Sequence, residues 1–236
     1  LPHNASSSFG GISNFSKIFM NHFLKSAMAI AAISLSATSS FAQNSTATKG
    51  YVGAEFGSVQ FKDQTPLASA LVSANGGTAT STQDTGVTVG RFFGGLTITE
   101  NFDAEVAYIN TATANATFSG VTRTAVAYSG SATIKITGFD FSALIRPTQS
   151  SGLNGLFVRV GGHSLSGQTD VRVATGTSSG AASTTTSGTG ALLGFGYDGK
   201  FTDKFGYRVA YTAYNSAAGV SGNDVSMFSV GLIARF

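Results

Sequence analysis

The sequence predicts an all-β fold: an eight-stranded antiparallel up-and-down β-barrel that spans a membrane. Three observations predict it. Apolar residues recur with period two almost throughout residues 43–236, with no convincing amphipathic helix among them. The connections between candidate strands alternate between short turns and mostly longer Ser/Thr/Ala/Gly-rich segments, with both termini on the short-turn side. Charged residues are only 11% of the chain, whereas Phe alone numbers 19, and a surface facing water normally carries more charge.

Taken in order, residues 1–19 precede the first Met of the chain, Met20, and are rich in Ser and Gly without periodicity. They read as an upstream extension outside the fold. From Met20 the chain runs through Lys25, an apolar stretch from Ala27 to Leu35, and Ser40-Phe41-Ala42 before Gln43. That order predicts a secretory signal peptide over 20–42, cut after Ala42. Its apolar core falls well short of the roughly 20 residues a membrane-spanning helix needs. Gln43 rather than Cys follows the cut, so a lipid-modified N-terminus is not indicated. Loss of Lys17 and Lys25 with these segments lowers the formal charge from +3 to about +1. The seven Lys and seven Arg are spread singly, which argues against a nucleic-acid partner. An exported chain without Cys has neither a disulfide framework nor a thiolate metal site.

Residues 43–236 form one predicted barrel domain. Its expected strands are Tyr51 to Phe61, Thr85 to Thr99, Phe102 to Thr113, Thr133 to Pro147, Leu156 to Gln168, Thr189 to Phe201, Phe205 to Asn215 and Val225 to Phe236. Short turns are expected around Glu100-Asn101, at Thr148 to Gly155 and at Thr202-Asp203-Lys204. Longer loops are expected at Lys62 to Asp84, Ala114 to Ala132, Thr169 to Gly188 and Ser216 to Asp224.

Each strand sorts into a greasy face and a face of Gly and isolated charge. In the strand beginning at Phe205, for example, Phe205, Tyr207, Val209 and Tyr211 oppose Gly206, Arg208, Ala210 and Thr212. Periodicity alone fits a soluble barrel with the greasy face inward equally well. The sparse polar faces, the Phe and Tyr near the short turns, and the final Phe236 favour the membrane arrangement. Turned inward, the polar faces collect Glu55, Asp103, Glu105, Asp140 and Asp198 with Arg91, Arg146, Arg159, Lys200, Arg208 and Arg235. Eight strands leave room for little beyond their own interior side chains. The balanced signs therefore predict a paired network that plugs the lumen, against the alternative of charged rings lining a pore. The turn centred on Asp203 makes Asp198 and Arg208 direct cross-strand partners.

Tyr51 to Gly57, Gly194 to Arg208 and Ser229 to Phe236 resemble the OmpA/OmpX-type family of small eight-stranded outer-membrane barrels. The resemblance covers the barrel domain and implies a bacterial outer-membrane location. It also implies assembly-machinery recognition of the terminal strand through Gly231 and Phe236, although Ala234 stands where a larger apolar side chain is usual. The periplasmic peptidoglycan-binding domain of the larger members is not expected here, so cell-wall tethering is not carried over.

Motifs that suggest chemistry have simpler readings. Gly194-Phe-Gly-Tyr-Asp-Gly199 spells GxGxxG, but a strand rather than a helix is expected to follow, so there is no helix N-terminus to hold a pyrophosphate. Asp84-Thr-Gly86 lacks the second carboxylate that an aspartic-protease site requires. The sequons at Asn44 and Asn115 are expected to stay unmodified in a bacterial chain. His163, the single histidine of the domain, is the best catalytic candidate for a lipid A-modifying enzyme. A nucleophile would have to share its face, yet Ser164 and Ser166 fall on the other one and residue 165 is Leu. No catalytic, cofactor or metal residue is assigned.

The expected function is that of a monomeric, non-enzymatic outer-membrane protein. Its role would be structural, or one of surface interaction through the long loops, whose ligand is unspecified. Its expected partners are outer-membrane lipids, lipopolysaccharide and the barrel-assembly machinery, with no cofactor. The alternatives are a small porin-like passive channel and, behind it, the lipid A-modifying enzyme.

Overall fold

The computed structural model describes residues 49–236 apart from 62, 64, 66–68, 71–72, 74–75, 148–153, 177 and 220–223. The expected leader, its cut after Ala42 and the upstream extension lie outside the described residues. Ten strands follow one another: β1 (Gly50–Phe61), β2 (Thr78–Gln83), β3 (Gly86–Thr99), β4 (Phe102–Thr111), β5 (Ala114–Val121), β6 (Ala127–Ile145), β7 (Leu156–Thr175), β8 (Ser178–Lys200), β9 (Phe205–Tyr214) and β10 (Val225–Arg235).

Eight of them close a ring in the order β1-β3-β4-β6-β7-β8-β9-β10, every pair antiparallel. The ring shuts between first and last strands, from Tyr51↔Arg235 to Phe61↔Val225. Gly50 and Phe236 extend that closure with two further backbone hydrogen bonds of 3.0 and 2.9 Å. A closed ring leaves no unpaired edge in the hydrocarbon, where water cannot satisfy backbone groups.

The inward and outward faces are inverted relative to a soluble protein. Arg91, Arg159, Arg208, Glu55 and Asp140 are at most 1% exposed, while Phe56, Phe92, Phe195 and Leu232 are 57–65% exposed. Large apolar side chains standing outward over buried charge need a lipid solvent, which settles the choice that periodicity leaves open. Near the short turns Phe201, Phe205 and Phe236 stand fully outward, and Phe201 packs on Tyr207 with ring centroids 5.2 Å apart. They form part of an aromatic girdle at the interface.

Three of the expected loops are partly strand. β2 falls within 62–84, β5 and the start of β6 fall within 114–132, and the ends of β7 and β8 occupy most of 169–188. β5 pairs with the first half of β6 (Ala114↔Ile134 to Val121↔Ala127), and β2 pairs with β5. The β7–β8 ladder runs without interruption from Leu156↔Tyr197 to Thr175↔Ser178. Strands of 19, 20 and 23 residues are about twice the 9–11 that a bilayer requires. Their far halves, with β2 and β5, make a five-stranded sheet beyond the loop end of the barrel. In the upper part of β8 both faces carry Ser, Thr and Ala, so no hydrophobic alternation marks it, whereas across β5, β6 and β7 one face carries Phe118, Tyr128, Val171 and Val173. β-Branched Thr and the absence of Pro nonetheless suit a strand.

Candidate functional site

The lumen is filled in layers. The middle layer is ionic and centres on Glu105 of β4. Its carboxylate accepts from Arg91 of β3 at 2.7 Å, Arg159 of β7 at 3.1 Å and Arg208 of β9 at 2.6 Å, with the Tyr51 hydroxyl at 3.2 Å. Arg91 also forks onto Asp140 of β6 at 3.0 and 2.9 Å and reaches Glu55 of β1 at 3.3 Å. Tyr214 and Ser229 also donate to Asp140 Oδ2 and Glu55 Oε2, at 3.2 and 3.3 Å, oxygens that Arg91 shares. Thr212 accepts from Arg159 at 2.9 Å. Such charges are held in a narrow interior only because opposite charges and hydrogen bonds surround them. Desolvation offsets much of each pair's attraction, but removal of one partner leaves the other buried and unanswered.

Toward the short turns, Arg208 lies over the rings of Phe93, Phe157 and Tyr51, its guanidinium carbon 4.5, 4.9 and 5.8 Å from their centroids. The same guanidinium forks onto Asp198 at 2.7 and 2.9 Å. Asp198 and Arg208 are cross-strand partners in the β8–β9 register, as the turn centred on Asp203 implies. Arg146, partly exposed at this end, bridges Asp103 at 2.8 Å and Asp198 at 2.7 Å.

Toward the loop end the lumen is apolar. Val59, Val87, Val89, Ile109, Ile136, Leu165, Leu192 and Met227 form one buried cluster there. A strap after β9 closes over it. Ala217 at 0% exposure belongs to the cluster, and Ser216, Ala218 and Gly219 adopt left-handed φ of 52, 57 and 75°. Gly188 and Gly219 meet so closely that a Cβ on Gly188 would lie 2.2 Å from the Cα of Gly219. Glycine is required at that contact.

Of the eleven residues expected in the lumen, nine share this network: Glu55, Arg91, Asp103, Glu105, Asp140, Arg146, Arg159, Asp198 and Arg208. Lys200 does not join it. It has the inward parity but ends β8 at the rim and is exposed to solvent. Arg235 is half-buried at the same rim, with Nη1 unpartnered. Four guanidiniums therefore face five carboxylates, in place of the expected six bases. Gly231, on the inward face of β10, meets the backbone of Ala54 and Glu55 so closely that a Cβ would clash. Phe236 is exposed at the closure of the ring.

His163 is buried and its Nε2 lies 2.8 Å from the Asn215 carbonyl oxygen. Ser164 is exposed on the opposite face, and Leu165 is buried beside His163. Sequence spacing within one strand misses Ser142, which the β6–β7 register puts on the same inward face, opposite Gly161. Neither Ser142 Oγ nor His163 Nδ1 has a hydrogen-bond partner, so the two are not coupled as nucleophile and base. The glycines of the GxGxxG spelling lie in β8 and β9 follows; side chains at Gly194 and Gly196 would run into Thr212 and Phe157. Asp84 ends the β2 segment and binds the backbone and side chain of Asn115 at 3.0 and 3.1 Å. The apolar layer is the feature that sequence reasoning missed. Its signal was present in the inward parity shared by Val89 with Arg91 and by Leu165 with His163.

The family described as outer membrane protein beta-barrel domain matches residues 28–236. The chain belongs to that family. Its solved relatives in shape include Ail, the attachment invasion locus protein of Yersinia pestis, at 11% identity and a TM-score of 0.45, covering 80% of this chain and 99% of that one. The N-terminal β-barrel domain of OprF from Pseudomonas aeruginosa is similar at 13% identity and a TM-score of 0.35, covering 80% and 98%. Neisserial surface protein A is similar at 15% identity and a TM-score of 0.35, covering 79% and 97%. No curated protein matches. The protein is an outer-membrane β-barrel.

Proposed function

We propose that this barrel is a sealed membrane anchor that holds a polar β-sheet at the cell surface, and that it works by structure and surface contact rather than by conduction or catalysis. The observation that supports this reading is the three-part filling of the lumen. A water-filled path would have to cross the apolar cluster around Val89 and Met227, the arginine-carboxylate layer around Glu105, and the rings around Arg208. Channels are lined by charge that faces water; here the charges are consumed by one another. The leader over 20–42 would direct export, with cleavage after Ala42, and the barrel would work as a monomer. Planar-bilayer recording of the purified barrel checks the seal: no unitary conductance is expected, and regular ion-conducting steps would favour the passive-channel reading.

Assembly is part of the same proposal. Phe236 closes the ring through its backbone bonds to Gly50 and presents an exposed ring at the turn end. Together with Gly231 it supplies the end that the barrel-assembly machinery would read. Deleting Phe236 should lower the yield of membrane-inserted protein, and equal yields would remove the assembly role.

A further inference from the structure

The outward faces of β6, β7 and β8 change character along their length. On β6 the outward positions run Ile145, Ala143, Phe141 and Phe139, then Thr137, Lys135, Thr133, Ser131 and Ser129. β8 makes the same change, from Phe195 and Leu193 to Thr189, Ser187, Thr185 and Ser183. Directly paired residues share a face, so register carries the hydroxyls onto the neighbouring strands. Thr80, Ser119 and Ser129 form one row, and Thr82, Thr117 and Ser131 the next. Between these rows lies a shallow depression of about 370 Å³, rimmed by Thr80, Thr82, Thr117, Ser119 and Ser129, with Phe118 and Gly130 also in its lining. That volume is at the low end of the ~300–1,000 Å³ range of small-molecule sites.

The chemistry of the lining restricts the ligand. Thr82 and Thr117 bond to each other at 2.8 Å, while the hydroxyls of Thr80, Ser119 and Ser129 have no partner among the described residues. Each free hydroxyl can both donate and accept, which complements a ligand that is itself a ring of hydroxyls. No charged side chain lines the depression, so phosphate and sulfate groups lack the guanidinium or ammonium they need. The nearest charge along the register is a carboxylate, Asp84, two residues beyond Thr82 and already bonded to Asn115. The nearest cation, Arg172, lies two strands from Thr117, across Ser131. An acyl chain would find a short, half-open trough rimmed by hydroxyls in place of a closed slot, whereas a sugar ring can set its C–H face on the apolar floor and its hydroxyls on the rim. We infer that this depression binds neutral sugar residues of the glycolipid that surrounds the barrel in its own membrane.

Position selects that source. The hydroxyl rows continue the face that meets lipid lower down, so they look sideways at neighbouring membrane molecules. Ser129 lies ten residues along β6 from Phe139, the last large apolar outward side chain. At a rise of about 3.4 Å per residue and a strand tilt near 40°, that is about 25 Å of height. The depression thus stands clear of the acyl chains, at the level of the saccharides that outer-leaflet glycolipids carry.

The inference rests on the surface-display reading above and is tested with the barrel of residues 43–236 in lipid nanodiscs. The probe is dephosphorylated core oligosaccharide released from lipopolysaccharide, titrated by saturation-transfer NMR. Saturable binding is expected, weakened at least tenfold in the triple variant Thr80→Val, Ser119→Ala, Ser129→Ala. It should be unchanged in Thr184→Val, Thr186→Val, which removes two hydroxyls from the opposite face. Circular dichroism of both variants verifies the fold; because all five sites are exposed, both are expected to keep it. Equal affinity of the triple variant and the parent overturns the inference. So does binding that needs the phosphates and vanishes in high salt, or a preference for a neutral glucan foreign to the membrane. Bilayer conductance of the same variants is read separately, so a leaky barrel would sink the sealed-anchor reading without touching the sugar result.

Discussion

The membrane-embedded part of the barrel and the sheet that projects from it share strands, register and hydrogen-bond ladders, yet are stabilised by different means. In the embedded part, the outward side chains are chosen by lipid and the inward ones by each other: Phe141 faces out, and the adjacent Asp140 is fully buried in the grip of Arg91. In the projecting sheet both faces meet water or sugar, and side chains such as Ser131 and Ala132 contribute little specific packing. Cohesion there comes from the backbone ladder that β6, β7 and β8 carry upward from the ring. The contrast separates two jobs of a β-ladder. One seals a membrane and tolerates no unpaired charge; the other extends a surface and tolerates most substitutions.

That contrast breaks most readily at Glu105. Glutamine in its place removes the carboxylate that Arg91, Arg159 and Arg208 share; Arg91 keeps Asp140 and Arg208 keeps Asp198, but buried Arg159 is left with Glu55 at 3.5 Å as its ion-pair partner. Glu105→Gln should cost about 3–5 kcal/mol, read as a shift in the urea unfolding midpoint in detergent. A loss below about 1 kcal/mol, the ceiling for exposed pairs, would mean that the lumen is hydrated and screened.

A smaller effect, but a more specific one, is expected at the Asp198–Arg208 pair. Both side chains are almost fully buried and form a fork of 2.7 and 2.9 Å. Asp198→Asn and Arg208→Gln should be non-additive, with a coupling of roughly 0.5–3 kcal/mol in a double-mutant cycle. Arg208 also contacts Glu105, so its single substitution should be the more damaging of the two. Additive effects would show that the fork does not act as a unit.

Least costly should be changes to the projecting sheet. Replacing Thr169 to Ser187 with a short turn would shorten the β7–β8 hairpin to its barrel portion. Because the eight-stranded ring keeps every partner, the unfolding midpoint should change by an amount matching no more than about 0.5 kcal/mol. A barrel that fails to insert without this hairpin would overturn the division into two regions.

The same difference explains what was legible in the sequence. Where the two faces of a strand meet different environments, period two is strong, and the barrel portions of the eight ring strands were readable: β9 was expected over 205–215 and runs over Phe205–Tyr214. By contrast, β6, β7 and β8 run well past their expected loop ends. Inward charges were readable by parity alone. Lys200 and Arg235 were the exceptions because parity fixes direction and not depth, and both lie at the rim, outside the paired network. β2, β5 and the upper halves of β7 and β8 were not readable, because Thr184-Thr185-Thr186 has no apolar contrast to alternate. Only the partner strand tells such a run that it is a strand. The apolar layer was hidden for the opposite reason: Val59, Ile109 and Leu165 lie on the polar face, where the charges drew attention first. Ser142 required the β6–β7 register, which no single strand contains.

The central claim is a lumen sealed by its own side chains beneath an exposed sheet. Because the chain has no Cys, single cysteines report on it without background. Met227→Cys places a thiol in the apolar layer, at a position with 0% exposure, and Thr186→Cys places one on the projecting sheet. In intact cells treated with a membrane-impermeant maleimide, Thr186→Cys should label rapidly and Met227→Cys should label only after denaturation. Comparable labelling rates at the two positions in folded protein would contradict the sealed lumen.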